Sequence, residues 1–421
     1  MNVIELADRL WRGETDTAAH HPLTTLGEPA EVAEGVRFVP SFANVSAFAT
    51  DSGLFLVDTG SAPLARAVHE SIRAWSDLPL DTAVYSHGHI DHVFGVPVFE
   101  EEAEERGWRR PRVIAHSALP ARFDRYILTA GYNAIVNQRQ FGIPGLRWPT
   151  DYRYPDQTYE DRLDLEVGGT RFELHHARGE TDDHTWTWVP DRRVLCTGDL
   201  FIWASPNAGN PQKVQRYAGE WAAALREMAI LDAEVLLPGH GFPVVGADRV
   251  RQALSDTAEL LESLLVQTLE LMNAGATLDE IIHTVSPPGE LLDRPYLRPV
   301  YDEPEFVVRN IWRQYGGWWD GNPAHLHPAS DAKLAGEIAG LAGGAGRLAD
   351  RALELAEGAS GDSEELRLAG HLAHLAHQAD PADPRAAEAE QRVYALRAEA
   401  ASSTMARGIY TWTSSRAAPE A

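Results

Sequence analysis

From Val36 to Thr59 apolar and polar positions alternate around turn residues, as in Gly53-Leu54-Phe55-Leu56-Val57-Asp58-Thr59-Gly60. A period of two bounded by turns predicts early antiparallel strands. Leu64 to Trp75 reads as a helix, and so does Arg216 to Leu231, where Trp221, Leu225, Met228 and Leu231 recur at helical spacing. Short apolar runs lie between the helices: Thr82-Ala83-Val84-Tyr85, Thr170 to His176, Val194-Leu195-Cys196 and Val235-Leu236-Leu237. Strands and helices mixed in this way predict a layered α/β domain. After Gly246 the pattern changes. Arg249 to Met272 carries Leu254, Leu261, Leu265 and Leu269 on one helical stripe, and Pro287-Pro288 and Pro295 to Pro304 mark a turn-rich connector. Beyond Ala329 come Ala- and Leu-rich helices broken at Gly343-Gly344, Gly358 to Gly361 and Pro381 to Pro384. Paired helices of this kind resemble tetratricopeptide packing, without a clean internal repeat. They predict apolar faces that pair with each other or with a second chain, hence a homodimer.

The chemistry gathers where the apolar runs stop. Ser86-His87-Gly88-His89-Ile90-Asp91-His92 follows the first of them and reads H-x-H-x-D-H. Imidazole is a borderline-soft donor suited to Zn, Fe or Cu, and a carboxylate compensates charge. On such a loop His87 and His89 can turn to one metal, and Asp91 and His92 to a neighbour. A two-metal centre needs further ligands and a bridging anion. Three later strand ends offer them: Glu180 in Arg178-Gly179-Glu180-Thr181, Asp199 in Thr197-Gly198-Asp199, and His240 in Pro238-Gly239-His240-Gly241. Open α/β sheets place their chemistry at such ends.

The order H-x-H-x-D-H, then G-E-T, then G-D, then P-G-H-G resembles the metallo-β-lactamase superfamily over roughly the first 245 residues. The resemblance implies a four-layered αββα sandwich. It implies that His87, His89 and Glu180 hold one metal, that Asp91, His92 and His240 hold the other, and that Asp199 bridges. It also implies that Asp58 supports the metal loop from behind, as a carboxylate orienting a ligand would. Most members carry His where this chain has Glu180; a Glu there resembles the alkylsulfatase branch. The later half agrees. Val308-Arg309-Asn310-Ile311-Trp312 and Tyr315-Gly316-Gly317-Trp318-Trp319-Asp320-Gly321-Asn322-Pro323 resemble the start of the alkylsulfatase dimerisation domain, and Met405 to Tyr410 its end. The expected organisation is therefore a catalytic domain over 1–247, then a helical connector and all-α dimerisation domain over 248–421. The Tyr-Gly-Gly-Trp-Trp stretch is expected as a core plug between domains or as a substrate-facing wall. The branch usually continues into a sterol-carrier-like third domain. The sequence ends at Ala421, so short or aromatic esters are expected over long-chain ones.

The implied reaction is hydrolysis of a sulfate ester to sulfate and alcohol, with two zinc ions acidifying a bridging water and clamping an oxyanion. Asp91, Asp199 and His184 are the residues assigned to catalysis; His184 can orient Glu180, donate to substrate or cap a strand. Asn207 matches an Asn that the family places near the sulfate. Where the family has an Arg a few residues on, this chain has Gln212 and Lys213. Lys213 can supply the charge without the bidentate fork of Arg, or can be a solvated loop residue. Tyr132 and Arg139 lie in a helical insertion that can form a substrate wall. The same ligand set suits iron or manganese, so a di-iron redox enzyme is the second reading. Lactone, other ester or phosphodiester hydrolysis, and a non-catalytic dimeric scaffold, also stay open.

Composition narrows the partners. Against 62 acidic residues stand 37 basic ones, a formal charge of −25. Nucleic-acid binding needs a basic footprint, so a nuclease role is not expected; an anionic small ester is still compatible, because metal charge dominates a site's field. A single cysteine, Cys196, excludes an intramolecular disulfide and reads as a buried strand residue. Met1 to Asp8 lacks the basic start and apolar run of a signal peptide, and no stretch reaches the ~20 apolar residues of a membrane span. A cytoplasmic enzyme without membrane partners is expected.

Overall fold

Thirteen strands form two mixed sheets in the computed structural model, which describes residues 1–24 and 27–417. The chain divides into two compact units, residues 1–130 with 149–318, and residues 131–148 with 319 onward.

In the first unit β1 (Ala30–Ala33), β2 (Val36–Val39), β3 (Val45–Thr50), β4 (Gly53–Val57), β5 (Leu80–Val84), β6 (Arg112–His116) and β7 (Gln157–Tyr159) lie side by side in chain order. The second sheet runs β8 (Arg162–Val167), β9 (Thr170–His176), β10 (Thr185–Val189), β11 (Val194–Gly198), β12 (Val235–Pro238) and β13 (Val244–Val245). Each sheet begins as an antiparallel meander. It turns parallel at β4–β5 and at β11–β12, where the chain must cross back through helices. Those crossovers are α2 (Ala65–Arg73), following α1 (Val3–Trp11), then α3 (Val96–Arg106), α4 (Leu119–Leu128), α5 (Ala130–Phe141) and α6 (Ala218–Ala229). The two sheets share a core in which Phe55 stacks on Phe172 at 3.8 Å and Phe48 meets the same ring edge-on at 5.5 Å. Strands β4 and β11 are buried at all five positions, so they read as continuous apolar runs. Edge strand β8 alternates, with Arg162, Asp164 and Glu166 in solvent.

The helical stripe after Gly246 is α7 (Ala247–Asn273), with Leu254, Leu261 and Leu264 buried. It packs on α6 and on α10 (Pro304–Gly316), and beside it lie the short α8 (Leu278–Thr284) and α9 (Gly289–Leu292). The chain from 247 to 316 thus folds as part of the first unit, beyond the 247/248 change of pattern in the sequence. The aromatic stretch corrects an expectation: Tyr315, Trp318 and Trp319 are 51%, 71% and 44% exposed, so they do not form a core plug.

The second unit is all helix: most of α5, then α11 (Asp331–Ala342), α12 (Ala345–Glu357), α13 (Glu364–Ala379), α14 (Pro384–Ala400) and α15 (Thr404–Ala417). Its core is a stripe of alanines, Ala349, Ala352, Ala369, Ala373, Ala376, Ala386 and Ala389, closed by Leu348, Leu353, Leu366 and Val393. Small side chains let the helices approach closely. At Gly408 a Cβ would lie 2.5 Å from the carbonyl oxygen of Gln140. Among the described residues no helix is long and apolar enough to cross a membrane.

Candidate metal centre

Asp58, just past β4, organises the loop 86–92. It sits at φ 60° and is 2% exposed. Its Oδ1 accepts the Ser86 N–H at 2.7 Å, and its Oδ2 accepts the Ser86 hydroxyl and the His92 Nδ1–H at 2.8 Å each. Having given its proton to Asp58, Ser86 Oγ accepts from His87 Nδ1 at 3.0 Å. Both rings are thereby held with Nε2 turned inward. Oriented imidazoles of this kind are how proteins prepare metal ligands. From the other side the Gly88 N–H donates to Asp183 at 2.9 Å, and Arg122 pairs with that carboxylate at 2.7 Å. A side chain at position 88 would strike Arg122, its Cβ falling 2.8 Å from Cδ.

The second sheet supplies the rest. Glu180 leaves the loop between β9 and β10, Asp199 follows β11, and His240 follows β12. His240 Nδ1 donates to the Phe42 carbonyl, which leaves Nε2 inward. Asp199 is crowded into place by glycines, since a Cβ on Gly239 would lie 2.1 Å from its Oδ1. His184 is fully buried, lies over His87 with ring centroids 4.9 Å apart, and accepts the Asp199 N–H on Nε2 at 3.1 Å. It therefore stands behind Asp199 and holds that residue's backbone; it does not touch Glu180 by any hydrogen bond to its side chain.

Two groups of ligand atoms result, His87, His89, Glu180 and Asp199 in one, and Asp91, His92 and His240 in the other. Within the first, His87 Nε2 is 2.7 Å from His89 Nδ1, 3.9 Å from Glu180 Oε2 and 3.7 Å from Asp199 Oδ2. In the second, Asp91 Oδ2 is 3.6 Å from His92 Nε2 and 3.4 Å from His240 Nε2. Asp199 faces both, with Oδ1 3.5 Å from His92 Nε2 and Oδ2 3.3 Å from His240 Nε2. His92 Nε2, Glu180 Oε2 and Asp199 Oδ1 are buried without a hydrogen bond. Acceptors stripped of water without a donor are costly, and a cation satisfies them. The donor set thus fits a dinuclear metal site.

The charges agree. Burial pushes His87 and His89 well below the ordinary imidazole range, which keeps them in the neutral ligand form. Burial also works against the Asp199 charge, but His240 and His92 outweigh it and hold that carboxyl well below its usual range. Burial and the neighbouring Asp199 push Glu180 well up. Against burial, Asp199 and Asp91 raise His240 to about 10, and Asp199, Asp58 and Asp91 hold His92 well above the ordinary imidazole range, so a metal that takes either Nε2 must displace a proton.

Beside Glu180 lies a set of hydrogen-bond donors. Asn207 Nδ2 donates to Glu180 Oε1, and Asn207 is 3% exposed. Arg216, 1% exposed, donates NH1 to the Glu180 carbonyl and brings NH2 to 3.3 Å from Oε1. Half-buried Lys213 is lowered to about 8 by burial and by Arg216, with Asp91 and Glu180 opposing. Burial, then Glu180 and Asp91, push the Tyr301 phenol well above its ordinary range. Arg216 is the correction to the reading of this loop: a buried guanidinium is present, four positions past Gln212. No motif in the sequence singles out Arg216, Tyr301 or Arg122. Tyr301 lies in the turn-rich connector, and Arg216 opens a helix pattern without a motif. Tyr132 and Arg139 are not among the residues brought together here. Both belong to the second unit, where Tyr132 is 61% exposed and Arg139 lies 5.8 Å over the Trp412 ring.

Residues 39–240 match the metallo-beta-lactamase superfamily and residues 277–418 the alkyl sulfatase dimerisation family. A linear primary-alkylsulfatase from a Pseudomonas strain is 30% identical over 314 residues, 69% of this chain and 59% of that protein. An (R)-specific secondary-alkylsulfatase from Pseudomonas sp. is 29% identical, over 72% of this chain and 50% of that protein. The solved structure of the stereoselective inverting sec-alkylsulfatase Pisa1 from Pseudomonas sp. superposes with a TM-score of 0.80 at 27% identity, covering 91% of this chain and 64% of that one. The chain therefore spans between half and two thirds of these relatives' own lengths. With this core, this ligand set and this pair of matched regions, the chain belongs to the metallo-beta-lactamase superfamily, in the arrangement that joins the fold to an alkyl sulfatase dimerisation region, and is homologous to the alkylsulfatases.

Proposed function

We propose that this chain hydrolyses sulfate esters of alcohols at a dinuclear zinc centre. The observation that carries the reading is the set of donors against Glu180: a buried guanidinium, a buried amide and a half-buried ammonium, next to the ligand clusters. An ester with a permanent negative charge needs such an end. A neutral ester or lactone does not.

Here His87, His89 and Glu180 would hold one ion, Asp91, His92 and His240 the other, with Asp199 between them. When bound, the two ions supply Lewis acidity and lower the pKa of a water between them. The chain's own residues do the rest. Arg216 and Lys213 offset the charge of the sulfate group. Asn207 and the protonated Tyr301 offer it neutral donors. His184 fixes the Asp199 backbone so that its carboxylate does not swing. Ester and water become alcohol and hydrogen sulfate. The second unit would join two copies, since Leu341, Leu334 and Leu368 are 91%, 53% and 48% exposed in the single chain.

The test is sulfate release from a short alkyl sulfate and an aryl sulfate by zinc-loaded protein, run beside a lactone and a phosphodiester. Sulfate release that disappears in Glu180→Gln and Asp199→Ala, with the fold intact by circular dichroism, supports the reading. Turnover of the lactone or the phosphodiester alone overturns it.

A further inference from the structure

Asn207 and Arg216 are held in place from outside the matched superfamily region. The loop 201–210 is buried along its whole length, yet between β11 and α6 it pairs with no strand. Two of its backbone N–H groups reach a segment about ninety residues later. The Ser205 N–H donates to the Arg298 carbonyl at 3.0 Å, and the Gly209 N–H donates to Asp302 Oδ2 at 2.6 Å. Gly209 permits this approach because it has no side chain: a Cβ there would lie 2.1 Å from the Val307 nitrogen. The other oxygen of Asp302 accepts the Glu303 N–H at 2.8 Å, at the entry to α10. One carboxylate thus ties the loop of Asn207 to the start of α10. About two turns further along the same helix, Asn310 Nδ2 donates to the Arg216 carbonyl at 2.9 Å, and the Asn310 carbonyl accepts from Gln215 at 3.1 Å. Tyr301 directly precedes Asp302.

We infer that the segment 298–310 is the positioning element for the anion-recognition end, with Asp302 and Asn310 as its two positioning residues. The inference rests on the reading of Asn207 and Arg216 as the groups that meet an anion. Asp302 has no solvent exposure, and burial pushes its carboxyl up to about 7. A buried carboxylate is unfavourable to keep unless its hydrogen bonds are worth the cost. Here both go to backbone N–H groups that set one loop against one helix. Neither Asp302 nor Asn310 belongs to the two ligand groups, so their loss should leave the metals in place.

The experiment compares wild type with Asp302→Asn and Asn310→Ala, all zinc-loaded. Binding of inorganic sulfate is read by calorimetry, KM and kcat by sulfate release, and metal content by elemental analysis. The expected result is sulfate binding weaker by about tenfold or more, a matching rise in KM, and kcat within about threefold, with metal content unchanged. Variants that bind sulfate like the wild type, or that lose metal and kcat together, overturn the inference, and so does a wild type that binds no sulfate. If the wild type binds sulfate and both variants lose it, but no ester is cleaved, the hydrolase reading falls and this one stands. Should Asp302→Asn fail to fold, Asn310→Ala decides.

Discussion

Replacing Asp58 by Asn isolates what its charge does for the metal loop. The side-chain volume is kept. So is the backbone: the residue sits at φ 60°, where Asn is among the few residues that rest without large strain. What changes is hydrogen-bond polarity. Asp58 accepts three bonds at 2.7–2.8 Å, from the Ser86 N–H, the Ser86 hydroxyl and His92 Nδ1–H. An amide has one acceptor oxygen and turns an NH2 toward the remaining donors. If the oxygen stays on the Ser86 N–H, the hydroxyl can rotate away. His92 cannot. The neutral ring that a metal would take must move its proton from Nδ1 to Nε2, the atom that faces Asp91 and Asp199 at 3.6 and 3.5 Å. A ligand with a proton on its coordinating nitrogen no longer binds a cation without giving that proton up. Loss of an orienting partner of this kind weakens metal binding by about 10- to 100-fold, or roughly 1.4–2.8 kcal/mol. Removing a buried charge-assisted acceptor should also lower the stability of the metal-free protein by about 1.5–3 kcal/mol. Competition against a chromophoric chelator reads the two metal sites separately, and denaturant unfolding of the metal-free protein reads the second quantity. The expected loss falls on the site of Asp91, His92 and His240. Unchanged affinity at that site, or a loss confined to the site of His87, His89 and Glu180, would refute the argument from the tautomer.

Removal of metal should destabilise the fold, because the ligand atoms come from four separate strand ends; a chelator should lower the melting temperature and zinc restore it, by about 2.7 kcal/mol at a hundredfold excess over Kd, and a melting temperature indifferent to the chelator would count against resident metals. The stacked pair His116 and His176, ring centroids 3.6 Å apart, predicts an acid limb. Burial, then His176, hold His116 down to about 4 against an ordinary 6.5, so the native state refuses a proton that the unfolded chain accepts. Its contribution to stability is whole above pH 6.5 and is lost as pH falls from 6.5 toward 4, with a ceiling of roughly 3 kcal/mol. In His116→Phe the pH-dependence of unfolding should flatten over that window; an unchanged slope would assign the acid limb to other groups.

The parts of this molecule that were legible in the sequence are the parts whose contacts are local. Strands β2 to β5 announce themselves by apolar residues bounded by turns, and each motif follows an apolar run. His87, His89, Asp91 and His92 are neighbours in the chain before they are neighbours in space. Glu180, Asp199 and His240 are far apart in the chain, yet each carries the same signal, a polar residue where a strand stops. Asp58 was visible for the same reason. For Tyr315, Trp318 and Trp319 the sequence left a core plug and a substrate-facing wall open, because aromatic composition says nothing of which side faces water; their exposure removes the first. Arg216, Tyr301 and Asp302 gave no signal at all. Their places depend on pairings across about ninety residues, between 209 and 302 and between 216 and 310, which no periodicity encodes.

That difference in legibility follows a division of labour in the fold. The metal ligands are set by where strands end in the two sheets, so any chain that builds these sheets with these residues arrives at the same two clusters. The donors beside Glu180 are set differently. Asn207 and Arg216 lie within the matched superfamily region of residues 39–240, but the groups that fix them, Asp302 and Asn310, lie beyond it. A substitution at 302 or 310 can therefore move the donors without moving a ligand. On the proposed reading this is why the sheets and the H-x-H-x-D-H loop identify a superfamily but leave its substrate open. On that same reading, what separates a sulfate ester from a neutral one is decided by the first turns of α10 and the residues before it, where the chain has already left the sandwich that carries the candidate ligands.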